Sequence, residues 1–235
     1  IIMGFTLNIL AGGTNLDTTP NDGIGATVTF SNLDLGGGSN FKSPSSDLSS
    51  NIYFMDQFCL RKLTPSGRVT TIAGVAATQA YTNGTGSAAR FQNVSASAVD
   101  NSGNIYVLES SAFTIRKVTP LGVVTDFAGQ QGIPGTTDGT GSAATFNNFR
   151  DIIFASDGNL YVLDTNAIRK VTLGAVVTTF AGLVLTSGTT NGTGLAARFN
   201  SPVAIAQSPI DLAIYTLELH SSGFIRVIRK CTLGA

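Results

Sequence analysis

Histidine and cysteine are nearly missing from this chain of 235 residues, which has one His, His220, and two Cys, Cys59 and Cys231. A zinc site needs several His, Cys or carboxylate ligands converging, and Ser-His-Asp or Cys-His hydrolysis needs an imidazole beside its nucleophile. His220 has no candidate partner near it in the sequence, so neither a metal site nor a cofactor nor that hydrolase chemistry is expected. Two cysteines also exclude a disulfide-stapled miniature scaffold. Charge is scarce as well. Charged residues make up 12% of the chain, and 14 basic residues balance 14 acidic ones. Soluble domains carry about 25% charge, and a balanced chain offers no electrostatic footprint for nucleic acid or an anionic membrane surface. No apolar run reaches the roughly 18 residues that a membrane-spanning helix needs, so membrane insertion is not expected. The apolar start, IIMGFTLNIL, carries neither a basic leader nor a small-residue cleavage site, so no signal peptide is expected there.

What the chain does contain is one sentence written four times. The copies read NDGIGATVTF (21–30), TNGTGSAARF (82–91), TDGTGSAATF (137–146) and TNGTGLAARF (190–199). Each is followed by an alternating run, NIYFMD, NIYVLE, NLYVLD or LAIYTLE, and then by a basic run, CLRKLT, TIRKVT, AIRKVT or VIRKCT. Apolar alternation at period two means strands, and a repeated supersecondary unit stacks on its copies because one unit cannot bury its own apolar faces. The framework spacings hold. From Arg61, Arg116 and Arg169 to Ala73, Ala128 and Ala181 the step is 12 residues each time. Phe30 to Tyr53 spans 23 residues where later copies need 15, 15 and 16. The first copy therefore carries an insertion, expected as an exposed loop at about 33–50 in a Gly/Ser/Pro tract.

Four strands fit each unit. In the third they are expected at about 150–155, 159–164, 167–172 and 175–181, with turn residues between them. Four antiparallel strands per repeat of this length suit a propeller blade. The fold expected is all-β, a four-bladed β-propeller forming one domain over residues 1–235. The chain stops where the third unit would begin its fourth strand, and residues 5–11, FTLNILA, match that missing strand. The expectation is that this N-terminal strand pairs with the C-terminal blade and closes the ring.

Several recurrent residues invite a functional reading. An acid closes the second strand of each unit (Asp56, Glu109, Asp164, Glu218), and an arginine lies on the third (Arg61, Arg116, Arg169, Arg229). Alternation puts acid and arginine on one face, as diagonal neighbours in the first three hairpins, so ion pairs between packed blades are expected rather than a ring of metal ligands. In the fourth, the longer hairpin puts Val227 opposite Glu218 and Arg229 two steps further on. The [DN]GxG segments lack the Lys-Ser/Thr of a phosphate-binding loop, and their task is expected to be local: turns that lay Phe30, Phe91, Phe146 and Phe199 between blades. Cys59 and Cys231 alternate onto the same class of blade face, while neighbouring blades meet through opposite faces, so free thiols are expected. Asn83, Asn93 and Asn191 head glycosylation-type triplets. Phe58, Phe113 and Phe224 stand at hairpin tips on the side with the longer loops, and with His220 and Tyr81 they form a candidate contact rim.

The motifs DGTGSAATF, SDGNLYVLDTNAIRKVT and VVTTFAG resemble the NHL-repeat family over nearly the whole chain. The resemblance implies a β-propeller, more often six-bladed, and a protein-binding or RNA-binding module, with lactonases and an amidating lyase among related propellers. The lack of basic surface argues against RNA, and the single histidine against the lyase. The leading expectation is a non-enzymatic binding or structural propeller contacting protein or glycan at a cell or particle surface, in an extracellular setting. A self-assembling subunit that donates its N-terminal strand to a neighbour is a second reading, and a metal-dependent lactonase-like hydrolase a third.

Overall fold

The computed structural model describes residues 9–12, 20–30, 44–219 and 226–232. The chain is an all-β, four-bladed β-propeller in which each blade is a small antiparallel sheet. Blade one contains β1 (Gly23–Ile24), β2 (Ser45–Ser46), β3 (Ile52–Asp56), β4 (Cys59–Leu63) and β5 (Arg68–Gly74). Blade two contains β6 (Gly84–Thr85), β7 (Val94–Val99), β8 (Ile105–Glu109), β9 (Thr114–Val118) and β10 (Val123–Ala128). Blade three contains β11 (Gly139–Thr140), β12 (Phe149–Phe154), β13 (Leu160–Asp164), β14 (Ala167–Val171) and β15 (Val176–Gly182). Blade four contains β16 (Pro202–Gln207), β17 (Ile214–Leu219) and β18 (Arg226–Cys231).

The third blade's strands fall within a residue or two of those expected. Each of the first three sheets also holds a fifth strand. The GxG segment runs along the outer edge of strand four, pairing Gly23 with Val69, Gly84 with Val124 and Gly139 with Val177. A turn of 3-10 helix follows at Gly25–Thr27, Gly86–Ala88, Gly141–Ala143 and Gly194–Ala196. The expected loop at about 33–50 is shorter at its end, because Ser45–Ser46 is the innermost strand of blade one, with Ser45 opposite Tyr53. Asp47 then closes a tight turn by accepting from the Ser49 and Asn51 amides, both at 2.9 Å. Residues 31–43 lie outside the described residues.

Blade-to-blade packing forms the core. One apolar cluster joins Tyr53, Met55 and Leu60 of blade one to Phe91, Ile105 and Val107 of blade two, and equivalent clusters join blades two and three and blades three and four. The repeat phenylalanines Phe91, Phe146 and Phe199 are buried in these layers, and burying a Phe contributes about 1.5–3 kcal/mol. The inner strands pack in order, β2 on β7, β7 on β12 and β12 on β16.

Two glycines show why the repeat keeps AG at the end of strand four. Gly74 and Gly129 have φ of +92° and +94°, and an added Cβ would stand 2.1 Å from the Phe58 carbonyl and 2.4 Å from the Phe113 carbonyl. Only glycine accepts both the conformation and the approach.

In the fourth blade the sheet has three strands among the described residues, β16-β17-β18. Of the segment expected to complete it, residues 5–8 lie outside the described residues. Residues 9–12 are described and sit against blade one, where Gly12 N donates to the Gly25 carbonyl at 3.0 Å.

Candidate functional site

The recurrent charges come together in each blade around the third-strand arginine. In blade two, Arg116 Nη1 donates to Glu109 Oε1 at 2.8 Å and to the Arg90 carbonyl at 2.7 Å. Its Nη2 donates to the Thr82 carbonyl at 2.7 Å and to Asn83 Oδ1 at 2.8 Å. Blade three repeats this arrangement: Arg169 reaches Asp164 at 3.0 Å, Asp138 at 2.8 Å and the carbonyls of Thr145 and Thr137. In blade one, Arg61 holds Asp56 at 2.8 Å, and its Nη2 donates to the Asn21 carbonyl. The guanidinium also lies over the repeat phenylalanine, 5.3 Å from the Phe91 centroid and 5.2 Å from that of Phe146, a cation–π contact that gains strength when desolvated.

These pairs lie within one sheet, across the hairpin that joins strands two and three. Acid and arginine occupy neighbouring strands of the same blade, and the segment arriving from the preceding blade wraps over them. The acid fastens that segment too: Glu109 Oε2 accepts the Gln92 amide, and Asp164 Oδ1 those of Asn147 and Asn148. In blade four Val227 does stand opposite Glu218, and Arg229 stands opposite Thr216, the diagonal that Arg61 makes opposite Phe54. Arg229 is 3.6 Å from Glu218 and retains 14% side-chain exposure, against 0% for the other three. Burial pushes the Glu109 and Asp164 carboxyls above their ordinary values, opposed by the arginine beside each. The arginine Nε atoms of the first three blades are buried without a hydrogen-bond partner.

The lysine after each arginine joins a second recurrent unit. Tyr106 donates to Asp100 Oδ2 at 3.1 Å, Tyr161 to Asp157 at 2.9 Å and Tyr215 to Asp211 at 2.9 Å, at the turn from strand one to strand two. Lys170 and Lys230 pair with the same carboxylates at 3.2 and 2.9 Å. In blade one, burial and the Asp47 carboxylate push the Tyr53 hydroxyl up to about 12.

Among the rim candidates, Phe58 and Phe113 are half-buried at their hairpin tips, while His220 and Phe224 lie outside the described residues. Tyr81 is held inward: its hydroxyl donates to Asp126 at 2.6 Å, and its ring lies 4.5 Å from the Arg116 guanidinium. Asn83 and Asn191 are exposed and accept from Arg116 and Arg229, whereas Asn93 is half-buried. Both cysteines are free; burial pushes the Cys59 thiol up to about 11.

A recess that the sequence did not reveal lies among the inner strands. A cavity of about 680 Å³ is lined from all four blades, by Ser45, Ser97, Asp151 and Gln207 among others. It lies towards the turns between strands one and two, at the opposite end from the Phe58 and Phe113 tips. Ser45 and Ser97 hydrogen-bond across blades at 2.9 Å, and Asp151 Oδ2 accepts the Ile205 amide at 3.0 Å, tying blade three to blade four. Gln207 accepts the Ser156 amide and donates to the Leu212 carbonyl. Among the described residues no three His, Cys, Asp or Glu side chains converge as a metal-binding group. No helix among them is long and apolar enough to cross a membrane.

No family model matches the chain, and no curated protein does. Solved structures do. An auxiliary nutrient binding protein from Bacteroides ovatus matches with a TM-score of 0.57 at 20% identity, over 78% of this chain and 47% of that one. A gluconolactonase from Xanthomonas campestris matches with a TM-score of 0.55 at 14% identity, over 84% of this chain and 61% of that one. A catalytically inactive virginiamycin B lyase from Staphylococcus aureus matches with a TM-score of 0.50 at 14% identity, over 87% and 58%. The chain thus spans about half to three-fifths of the length of these proteins. At such identities the shared property is the fold: this chain is similar to β-propellers that bind and to β-propellers that catalyse.

Proposed function

We propose that the chain is a non-enzymatic recognition propeller of NHL type that contacts a protein or glycan at a cell or particle surface. The observation that carries this reading is the fate of the charges. The arginines and strand-two acids are consumed inside the blades, and the Asp151 carboxylate in the central recess accepts two backbone amides, from Ile152 and Ile205. What the recess offers a visitor is hydroxyl, amide, main-chain and apolar surface, which suits a neutral polar ligand better than bond cleavage. The likeness to an auxiliary nutrient binding protein supports the same direction. The low-charge exterior, rich in Thr, Ser and Asn, supports the surface location.

Half-buried Phe58 and Phe113 favour a second contact area at the opposite end. A glycan and peptide array on the purified protein tests both. Ser97→Trp, which fills the recess, is expected to abolish binding if the ligand sits centrally, and Phe58→Ala with Phe113→Ala to weaken it if the rim is used. Hydrolysis of a lactone or ester panel that is lost in neither variant class but follows an added divalent ion would overturn the proposal.

A further inference from the structure

The central recess has two unlike walls. Its inner strands carry residues at matched levels, and opposite the tyrosine of each second strand stand Ser45 in blade one, Ala98 in blade two, Ile153 in blade three and Ala206 in blade four. The next level holds Ser46, Val99, Phe154 and Gln207. Because β2 packs on β7, β7 on β12 and β12 on β16, blades one and three are not neighbours, and the hydroxyl pair Ser45 and Ser46 stands across the axis from the apolar pair Ile153 and Phe154. Both pairs line the cavity of about 680 Å³ and are half-buried or exposed. On the flanks between them Ala98 and Ala206 contribute only a methyl group each.

The polar groups that this slot can offer are short and uncharged. Ser45 and Ser97 share one hydrogen bond of 2.9 Å, in which only one hydroxyl donates, so the other O–H is left for a visitor. Gln207 uses Oε1 for the Ser156 amide and one Nε2 proton for the Leu212 carbonyl, which leaves its second Nε2 proton. No Lys, Arg or His stands among the described lining residues, and the one carboxylate there, Asp151, already accepts the Ile152 and Ile205 amides. An anionic visitor would meet that carboxylate with no cation to balance it. Peptide addition along the inner edges is opposed as well, because the Ser45–Ser97 bond ties blade one to blade two, and Asp151 with the Ile205 amide ties blade three to blade four, across those edges.

We propose that the recess takes the neutral pyranose end of a glycan, an inference that rests on the recess being a recognition site and names what it recognises. A pyranose ring carries C–H groups on its face and hydroxyls around its edge, so a single ring spans both walls. Its C–H face lies against Ile153 and Phe154, and its hydroxyls reach Ser45, Ser46 and the Gln207 amide. The volume falls in the range of small-molecule sites, roughly 300–1,000 Å³.

Calorimetric titration of the intact chain tests this with the methyl pyranosides of glucose, galactose, mannose and N-acetylglucosamine. At least one is expected to bind. The matching alditol, which keeps the hydroxyls but has no ring face, and the matching uronate, which adds a carboxylate, are each expected to bind at least about tenfold more weakly. Ala206→Phe blocks the slot from an exposed position, so folding is expected to be unchanged while pyranoside binding falls at least about tenfold; Ala206→Ser is expected to retain it. No binding by any of the four pyranosides, equal binding of the alditol or the uronate, or pyranoside binding that Ala206→Phe leaves unchanged would each overturn the inference. A peptide that binds wild type but not Ala206→Phe, with no pyranoside bound, would overturn the sugar and leave the recess as a recognition site. Ligands of either class that bind Ala206→Phe and Ser97→Trp as tightly as wild type would overturn that broader reading as well.

Discussion

Blades three and four carry nearly the same words in different surroundings. AIRKVT in blade three and VIRKCT in blade four place an arginine on the same diagonal from a strand-two acid and over a repeat phenylalanine, at 5.2 Å and 5.0 Å. In blade three the guanidinium is fully buried and 3.0 Å from its acid; in blade four it is partly exposed and 3.6 Å away. The difference lies outside the motif, in the fourth strand and GxG strand that cover β14. Fully buried, these residues form a desolvated latch; partly exposed, they form a solvent-screened pair.

Substitution at the two arginines breaks this comparison most sharply. Arg169→Met leaves Asp164 buried without its cation and is expected to lower stability by about 3–5 kcal/mol, read as the denaturant midpoint at constant slope. Arg229→Met is expected to cost no more than about 1 kcal/mol; equal losses would show that the outer strand does not set the strength of the latch. Next in size, Gly129→Ala forces a side chain into a left-handed conformation against the Phe113 carbonyl and should cost about 1–3 kcal/mol by thermal unfolding. Tyr161→Phe removes a hydrogen bond to Asp157 and should cost about 0.5–1.5 kcal/mol, while Tyr215→Phe on the exposed fourth blade is expected to cost less than Tyr161→Phe. The smallest effect is on pH. The raised carboxyl of Glu109 takes up its proton at a higher pH in the folded than in the unfolded chain, so its contribution is fully present below the ordinary carboxylate value and lost as pH rises through the folded one. The stability of wild type relative to Glu109→Gln, a neutral side chain with no proton to take up, should therefore rise as pH falls towards about 4.

Much of this architecture was legible in the sequence because period-two alternation marks strands of five or six residues. The run NLYVLDTNAIRKV gave both strands and their register, with Asp164 opposite Ala167 across Thr165-Asn166. The GxG strands were not legible: two residues, Gly139 and Thr140, have no alternation to detect, and their partner lies about 37 positions further along. Ser45–Ser46 does not read as an inner strand because Ser45 offers a hydroxyl where the other repeats carry Ala98, Ile153 and Ala206. The arginine latch was only half visible. Its acid is a side chain that recurs in the sequence, but the carbonyls of Thr82 and Arg90 that complete it are backbone groups, which any residue type supplies. The central recess assembles from four distant inner strands, and no local pattern announces it.

The latch has a consequence for how the polypeptide becomes structured. Arg116 is joined to Tyr81, Thr82, Asn83, Arg90 and Glu109, and β10 returns to pair with β6, so these partners lie within one uninterrupted stretch from Tyr81 to Ala128. Loop closure at such short separation is entropically mild, and each sheet can assemble in turn behind an advancing ribosome without waiting for sequence still to be translated.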